Sequence, residues 1–371
     1  MILSVMKWKQ QILGMKPYKP GKPVEEVQRE FGLDEVVKLA SNENPFGFSP
    51  KVKQFLAQDQ SHHEIYPDGY AQSLRTAVAE FVGVQENQLI FGNGSDDLIA
   101  ILTRALLAPG VNTVMATPSF SQYAHNAQIE GAEVREVPLV DGNHDLDGML
   151  AQIDDNTAIV WICSPNNPTG GIVPAAALKA FLAKVPSDVL VVLDEAYYEY
   201  VDNEEHENAV PYVEQFPNVI ILRTFSKAYG LAGFRVGYGI AQADVISMLD
   251  PVRAPFNNTV LSHKVAEIAI RDQAFIQQCK ELNKEGRKQY VAFCEKHNLH
   301  YFHSETNFIL FDVKADSNVV FQELMKRGFI IRSGAALGLP GYIRVTIGTN
   351  AQNAKFLQKL EEVLVEQGVF A

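Results

Sequence analysis

Short apolar runs alternate with helical patterns between residues 89 and 226, and this alternation limits the fold more than any other feature of the sequence. Each run is rich in Val and Ile and ends in turn residues, which is typical of a strand buried on both faces. The runs are LIFGNGS (89–95), TVMATPSF (113–120), AIVWICSP (158–165), VLVVLDEAY (189–197) and VIILRTFS (219–226). Helical patterns such as DDLIAILTRALL (96–107) and AAALKAFLAKV (175–185) separate them. Strands separated by helices predict an α/β fold with a parallel sheet and right-handed crossovers.

The pattern changes after about residue 250. Long polar helical segments cover residues 264–296, and three further strands and a last helix follow. These strands are NFILFDV (307–313), GFIIRS (328–333) and YIRVTIGT (342–349). We therefore predict three parts: an N-terminal arm with a short helix (1–44), a large domain (45–250) and a smaller α+β domain (251–371).

Charge and cysteine usage exclude several classes of protein. The chain has 32 Lys and Arg against 44 Asp and Glu, a net charge of −12, so nucleic acid is not an expected partner. The three cysteines, Cys163, Cys279 and Cys294, lack CxxC spacing, which argues against a disulfide framework and favours a reducing, cytoplasmic setting. The apolar part of MILSVMKWKQ is too short for a signal peptide or a spanning helix, so no membrane is expected. No metal site is expected, since His62 and His63 are adjacent and no HExxH motif occurs.

The loop GNGSD (92–96) follows one predicted strand and opens a helix. Backbone N–H groups and the helix dipole at such a point suit a phosphate, although a plain strand-to-helix turn is the alternative. A dinucleotide fingerprint needs a third glycine near position 97, where Asp97 stands instead. The loop therefore disfavours a dehydrogenase.

Two charged residues stand at the ends of later strands, where ligands bind in open α/β sheets. Asp194 ends the run VLVVL, which places a carboxylate at the floor of the expected crevice. Lys227 stands where an apolar run breaks into a turn spaced by Gly230, Gly233 and Gly237. A lysine at this position is a candidate for chemistry.

Together these loops fit a ligand with one phosphate, a ring nitrogen kept protonated, a ring oxygen and a carbonyl. Pyridoxal 5'-phosphate has all four. A lysine forms a Schiff base with its aldehyde, and an aspartate keeps its ring nitrogen protonated. The positive charge of Arg235 is expected to lower the pKa of Lys227.

The motifs GNGSD, PSF, SPNNPTG, DEAY, SKAYGLAGFRVGY and IRVTIGT occur in that order across nearly the whole chain. This series resembles the fold-type I aminotransferases of class I/II. The resemblance implies a pyridoxal-phosphate-dependent transferase fold of type I, an α/β fold whose large domain has a mostly parallel central sheet flanked by helices. The stretches KLASNENPFGFSP (38–50), YPDG (66–69) and RSGAALGLPGYIRVTIGT (332–349) are most similar to members that move the amino group of L-histidinol phosphate to 2-oxoglutarate, forming glutamate, in histidine biosynthesis.

The resemblance implies a role for each residue around the cofactor ring. Lys227 binds the aldehyde and moves the α-proton, Asp194 pairs with the ring nitrogen, and Asn167 and Tyr197 donate hydrogen bonds to the ring oxygen. Phe120 stacks on the ring, with Tyr123 as the alternative. Many members have tyrosine where this chain has Phe120, so one hydroxyl is lost here.

The resemblance likewise implies how the cofactor phosphate is held. The backbone of Ser95 and Asp96, together with Ser226 and Arg235, surrounds it. A tyrosine placed as Tyr66 reaches the phosphate of the neighbouring subunit's cofactor, which implies a homodimer with shared sites. An ordinary turn residue is the alternative for this tyrosine.

Two arginines are candidates for binding the second anion of each substrate, a phosphate or a carboxylate. Planar guanidinium groups suit both anions, which favours Arg344 and Arg332 as substrate-binding residues alongside Asn167. An ion pair within the small domain is the alternative role. Tyr18 on the N-terminal arm resembles a family residue that closes over the substrate phosphate.

Other activities stay open from the sequence. An aromatic amino-acid aminotransferase, or a decarboxylase of a phosphorylated amino acid, would keep nearly all the cofactor motifs. A non-enzymatic regulator of this fold would need a DNA-binding module, for which the chain leaves no room.

Overall fold

A computed structural model of the chain describes residues 6–17 and 21–370. Its strands are β1 (Val37–Lys38), β2 (Leu89–Gly92), β3 (Asn112–Thr117), β4 (Glu133–Pro138), β5 (Thr157–Cys163), β6 (Leu190–Asp194), β7 (Val219–Thr224), β8 (Gly237–Ile240), β9 (Phe308–Asp312), β10 (Phe329–Ile330), β11 (Arg332–Ser333) and β12 (Tyr342–Thr346). Its α-helices are α1 (Val24–Phe31), α2 (Pro50–Gln58), α3 (Gln72–Val82), α4 (Ser95–Leu106), α5 (Gln122–Glu130), α6 (Leu146–Ala151), α7 (Ala175–Leu182), α8 (Tyr212–Gln215), α9 (Ala243–Leu249), α10 (Val260–Ile270), α11 (Gln273–Lys296), α12 (Ser317–Lys326) and α13 (Asn350–Glu366).

A seven-stranded sheet in the order β2-β8-β7-β6-β5-β3-β4 forms the centre of the molecule. Strands β3 to β7 pair in parallel, whereas β8 pairs antiparallel with both β2 and β7. All five predicted apolar runs form strands of this sheet, and β2, β6 and β7 are buried along their whole length. The predicted α/β fold with a mostly parallel sheet is confirmed.

Two strands of this sheet were not predicted. The edge strand β4 (EVREVP) has Val137 as its one buried residue and carries charges, as edge strands commonly do. In β8 the sequence GYGI contains glycine at Gly237, which was wrongly placed in the turn after Lys227. A Cβ at Gly237 would lie 2.7 Å from the backbone N of Ser95, so only glycine lets β8 pass this close to the start of α4.

A second, smaller sheet has the order β11-β12-β9 and is antiparallel. Helices α11, α12 and α13 cover it around a core that includes Tyr290, Phe311, Ile343, Phe356 and Leu360. The strand β1 pairs in parallel with β10, so the segment after α1 also packs on this unit. Helix α10 instead packs in the core of the central sheet, through Val265, Ala266, Ala269 and Ile270. The domain bounds given above stay a prediction.

Helix ends follow the local residue chemistry. The side chain of Ser49 caps α2 by accepting from the N–H of Lys51, and α1 ends at Gly32, whose φ is 65°. Thr349 and Gln352 form a capping box at α13, directly after the IRVTIGT motif. Across residues 6–17 and 21–370, no helix has the combined length and apolar character that crossing a membrane requires.

Candidate active site

Three neighbouring strands deliver the predicted residues to one edge of the central sheet. Strands β5, β6 and β7 are parallel neighbours, and Cys163 at the end of β5 lies opposite Asp194 at the end of β6. The segment that carries Lys227 leaves the end of β7. Gly230 shapes this turn, because its φ is 72° and a Cβ there would lie 1.8 Å from the carbonyl oxygen of Gly47.

Lys227 is partly buried, and its amine donates a hydrogen bond to the carbonyl oxygen of Ser41 at 3.2 Å. Burial lowers the pKa of the amine from 10.5 to about 8, and the positive charge of Arg344 adds to this effect. The expected effect of Arg235 is present but smaller than that of Arg344. The lysine is thus closer to the neutral, nucleophilic form than a surface lysine is.

Asp194 is 3% exposed and accepts a hydrogen bond from the hydroxyl of Tyr123 at 2.6 Å. It also accepts from the backbone N–H of Ala196 at 3.1 Å. Burial raises the pKa of this carboxyl to about 6. A positive charge beside it would reverse that shift, so the position suits a protonated ring nitrogen.

The two aromatic candidates for ring stacking lie in different surroundings. Tyr123 is fully buried and stacked on Trp161, with ring centroids 4.6 Å apart and an interplanar angle of 11°. Phe120 is only partly buried and meets Tyr123 edge to face at 5.6 Å. Phe120 is therefore the more accessible of the two rings, and Tyr123 binds Asp194 instead. Nothing in the local sequence pattern indicates the contact between Tyr123 and Asp194.

The loop before α4 and the residues around Arg235 form a cradle of hydrogen-bond donors. Gly94 caps the helix with φ 82°, and a Cβ there would lie 2.6 Å from Nη2 of Arg235. The Nη1 atom of Arg235 donates to Oγ of Ser226 at 3.4 Å, and its Nη2 atom is 3.8 Å from the carboxylate of Asp96. Because α4 begins at Ser95, the N–H groups of its first turn have no partner within the helix, and such a helix start beside a guanidinium suits a phosphate.

Tyr197 and Asn167 lie near the same edge with defined partners. The oxygen of Tyr197 accepts a hydrogen bond from Nδ2 of Asn42 at 2.9 Å. Burial raises the pKa of this phenol, so it stays protonated at neutral pH. Oδ1 of Asn167 accepts from Nη1 of Arg344 at 2.6 Å. Asn42 is a site residue that the sequence analysis does not single out, although it stands within the stretch KLASNENP.

The two arginines proposed to bind substrate lie side by side. Arg332 on β11 is directly opposite Arg344 on β12, so both side chains project from the same face of the small sheet. Arg344 is 7% exposed, donates from Nη2 to the carbonyl oxygen of Ala40 at 2.9 Å and lies 5.1 Å above the ring of Phe308. Two positive charges directly opposite each other repel, and an anion bound between the two guanidinium groups would relieve that repulsion.

Tyr66 lies on the outside of the chain. It is 78% exposed and stacks on Phe256, with ring centroids 4.8 Å apart. Ile65, Tyr70 and Phe256 are also exposed, so the residues around Tyr66 form an apolar surface patch. Tyr18 lies outside the described residues.

The residues fit pyridoxal phosphate in three places. The cradle around Gly94 has the donors for a phosphate and brings the guanidinium of Arg235 too close for any residue but glycine, Asp194 offers a buried carboxylate to the ring nitrogen, and Lys227 offers a less basic amine. Within the part of the chain that is described, no group of three or more His, Cys, Asp or Glu side chains is arranged to hold a metal ion.

Comparison with known proteins places this arrangement in a family. The sequence profile of the family described as aminotransferase class I and II matches residues 34–360. Histidinol-phosphate aminotransferase of Lysinibacillus sphaericus is 69% identical over 99% of this chain and 100% of that protein. The enzyme of the same name from Halalkalibacterium halodurans is 56% identical over 98% of both chains. A crystal structure of histidinol-phosphate aminotransferase from Sinorhizobium meliloti in complex with pyridoxal-5'-phosphate superimposes with a TM-score of 0.89 at 26% identity, covering 98% of this chain and 100% of that one. The chain belongs to the class I and II aminotransferase family.

Proposed function

We propose that this protein is a pyridoxal-phosphate-dependent transaminase that moves the amino group of L-histidinol phosphate to 2-oxoglutarate in histidine biosynthesis. The observation that carries the proposal is the meeting of Lys227, Asp194 and the Gly94 cradle at one sheet edge, in a chain related over its full length to enzymes of that name. Both substrates use the same site in turn, as transaminases do in a ping-pong cycle.

The chemistry divides between the cofactor and the chain. Bound pyridoxal phosphate supplies a carbonyl that takes up the amino group and a protonated ring that accepts electrons. Lys227 would hold the cofactor through its amine, and its free amine would be the base that takes the α-proton of the substrate and returns it. Its pKa of about 8 suits both tasks, because the amine can gain and lose a proton near neutral pH.

The surrounding residues hold the cofactor while Lys227 is detached. Asp194, fixed by Tyr123, keeps the ring nitrogen protonated. Tyr197 and Asn167 would hydrogen-bond the ring oxygen, and Phe120 would stack on the ring. The phosphate would be held by Ser95, Asp96, Ser226 and Arg235. The start of α4 and the guanidinium of Arg235 lie close together, and both favour a bound anion. These roles are proposals.

Arg344 and Arg332 are proposed to bind the substrate anion, and Tyr18 to cover it. Changing Arg332 to Gln is expected to lower kcat/KM for L-histidinol phosphate by about 10- to 100-fold, because hydrogen bonds to charged groups are worth about 1.5–3 kcal/mol. The neutral analogue L-histidinol is expected to lose less than about 3-fold, as it has no phosphate to lose contact with. Steady-state kinetics with both amines measures the ratio.

Arg271→Gln is the matched control. Arg271 is an exposed arginine directly after α10, and it forms an ion pair with Glu267 on that helix. It is expected to leave both substrates unchanged. Equal losses on both amines in Arg332→Gln would mean that this arginine supports the small domain instead. Arg344→Gln is also expected to lower kcat/KM more for L-histidinol phosphate than for L-histidinol. Its loss of kcat/KM is expected to be larger than that of Arg332→Gln, since Arg344 also orients Asn167.

We also propose a homodimer in which the apolar patch around Tyr66 is buried and Tyr66 completes the partner's site. Asn258 supports this, because its buried amide donates to the carbonyl oxygens of Gly92 and Arg235 in the cradle, and Phe256, two residues earlier in the chain, stacks on Tyr66. The patch therefore borders the phosphate cradle. A cytoplasmic location is supported by the cysteines, because all three are free thiols and exported proteins commonly form disulfides; they are Cys163, Cys279 and Cys294. Export of the protein would contradict this location.

Mixing two variants with different defects tests the shared site. Tyr66→Phe is expected to weaken cofactor binding about 10-fold, and Lys227→Ala removes the lysine. If Tyr66 acts across the interface, a mixed dimer has one site with both residues intact, so mixing restores activity with the cofactor affinity of the wild type. Mixtures that retain the weak affinity of Tyr66→Phe, or a monomer in sedimentation, would contradict the proposal.

A further inference from the structure

Residues 39–42, here called the bridging segment, connect the small sheet to the catalytic residues. The carbonyl oxygen of Leu39 accepts from the N–H of Thr346 at 2.9 Å. The next two carbonyl oxygens accept from Arg344 at 2.9 Å and from Lys227 at 3.2 Å. Each residue of the segment thus contacts a strand or a side chain of the site, and Asn42 closes the series.

Asn42 is 2% exposed and its backbone is left-handed, with φ 57°. Its N–H donates to Oγ1 of Thr346 at 3.0 Å, and that hydroxyl donates back to Oδ1 of Asn42 at 3.1 Å. The carbonyl oxygen of Asn42 accepts from Nδ2 of Asn307 at 2.8 Å. Since Oδ1 is bound to Thr346, the amide nitrogen of Asn42 must face the other way, toward Tyr197.

The contact with Tyr197 sets the direction of the phenolic proton. Nδ2 of Asn42 donates to the phenol oxygen at 2.9 Å, so the oxygen acts as acceptor on that side. An amide N–H₂ cannot accept a proton, and the phenol must therefore donate elsewhere. In the proposed complex the other neighbour of this phenol is the ring oxygen of the cofactor.

We propose that Asn42 is a positioning residue that, by donating to Tyr197, directs the phenolic proton onto the cofactor's ring oxygen. The inference rests on the proposed cofactor and adds a residue to its machinery. Through Thr346, the same amide is attached to β12, two residues from Arg344.

Other charged and titratable groups also surround Tyr197. Lys227 Nζ lies 5.7 Å from its ring centroid, and Arg344, Asp194 and Cys163 act on it electrostatically. Phe308 packs edge to face against the ring at 5.2 Å. A test must therefore separate the effect of Asn42 on Tyr197 from a general change in the charge of the site.

Titration of the bound cofactor makes this separation. The pH midpoint of the visible absorbance change is measured in the cofactor-loaded wild type, Asn42→Gly, Tyr197→Phe and the double variant. Glycine suits a residue with φ 57°, so it removes the amide with little backbone strain. Because a donated hydrogen bond favours the anionic ring oxygen, Asn42→Gly is expected to raise the midpoint by about 0.5–1 pH unit. In the Tyr197→Phe background the same change is expected to shift it by less than about 0.2 unit.

Asn42→Asp gives a second, isosteric test that does not depend on how Asn42→Gly folds. Its carboxylate would accept the phenolic proton and turn it away from the cofactor, so the midpoint is expected to rise at least as far. Asn298→Gly is the matched control, an exposed asparagine at φ 50° in the small domain, and is expected to leave the midpoint unchanged.

Equal shifts with and without the Tyr197 hydroxyl, or no shift in either Asn42 variant, would overturn the inference. A wild type that binds no pyridoxal phosphate would instead contradict the proposed function.

Discussion

Replacing Lys227 with alanine is expected to lower kcat/KM for L-histidinol phosphate by roughly 10⁴-fold, the upper end of what proton transfer by a positioned side chain contributes. The reason lies in the surroundings of the amine, which is held by the carbonyl oxygen of Ser41 and has its pKa lowered to about 8. Borohydride reduction of the loaded wild type is expected to attach the cofactor to the peptide that contains Lys227. Mass spectrometry of the digest identifies the labelled residue.

The pH dependence of this attachment gives a second readout. The lowered pKa means that the amine is mostly neutral above about pH 8, whereas an ordinary lysine needs about pH 10.5. Uptake of pyridoxal phosphate by the cofactor-free protein is therefore expected to quicken up to about pH 8 and then level off. Lys288→Ala, which removes an exposed lysine of α11, is the control and should behave as the wild type. Covalent label that persists in Lys227→Ala would refute the role given to this lysine.

Asp194→Asn is expected to lower kcat/KM by about 10²- to 10³-fold while the chain stays folded. Breaking a buried charge pair costs about 3–5 kcal/mol, and asparagine keeps the shape of the side chain and its contact with Tyr123. The ring nitrogen would then lack the charge that keeps it protonated. Steady-state kinetics with saturating cofactor measures this loss.

Cofactor affinity provides the readout that does not depend on turnover. The pKa of Asp194 is about 6 without cofactor, so the carboxylate is charged above that pH and neutral below it. Affinity for pyridoxal phosphate is expected to rise with pH through about 6 in the wild type and to lose this dependence in Asp194→Asn. Glu199→Gln removes another buried carboxylate and serves as the control. If both variants lose activity equally, general destabilisation explains the loss and Asp194 has no special role.

The strand-end residues could be predicted because a local rule places them. A largely apolar run that ends at Asp194, and another that ends just before Lys227, identify two strands and the edge of the sheet where a ligand binds. The cradle was predictable for the same reason, since GNGSD joins a strand to a helix. These features need only the residues within one strand and its loop.

Contacts between distant parts of the chain had no local signal. The bond between Asn42 and Tyr197 joins residues 155 positions apart, and the pairing of β1 with β10 joins the N-terminal segment to the small sheet. Strand β8 was missed because glycines disfavour strands, and the reason for Gly237 lies in the backbone of another loop. Such residues are explained by their neighbours in space, which the sequence alone does not show.

The most direct test of the proposed activity is a single half-reaction without any oxo acid. The yellow, cofactor-loaded protein is mixed separately with L-histidinol phosphate, L-phenylalanine and O-phosphothreonine, and the loss of cofactor absorbance and the release of carbon dioxide are followed. We predict rapid conversion of the cofactor to its amino form by L-histidinol phosphate, slower conversion by phenylalanine and no carbon dioxide. Equal or faster conversion by phenylalanine would indicate an aromatic amino-acid aminotransferase, and carbon dioxide from phosphothreonine a decarboxylase; either result would contradict the proposed function.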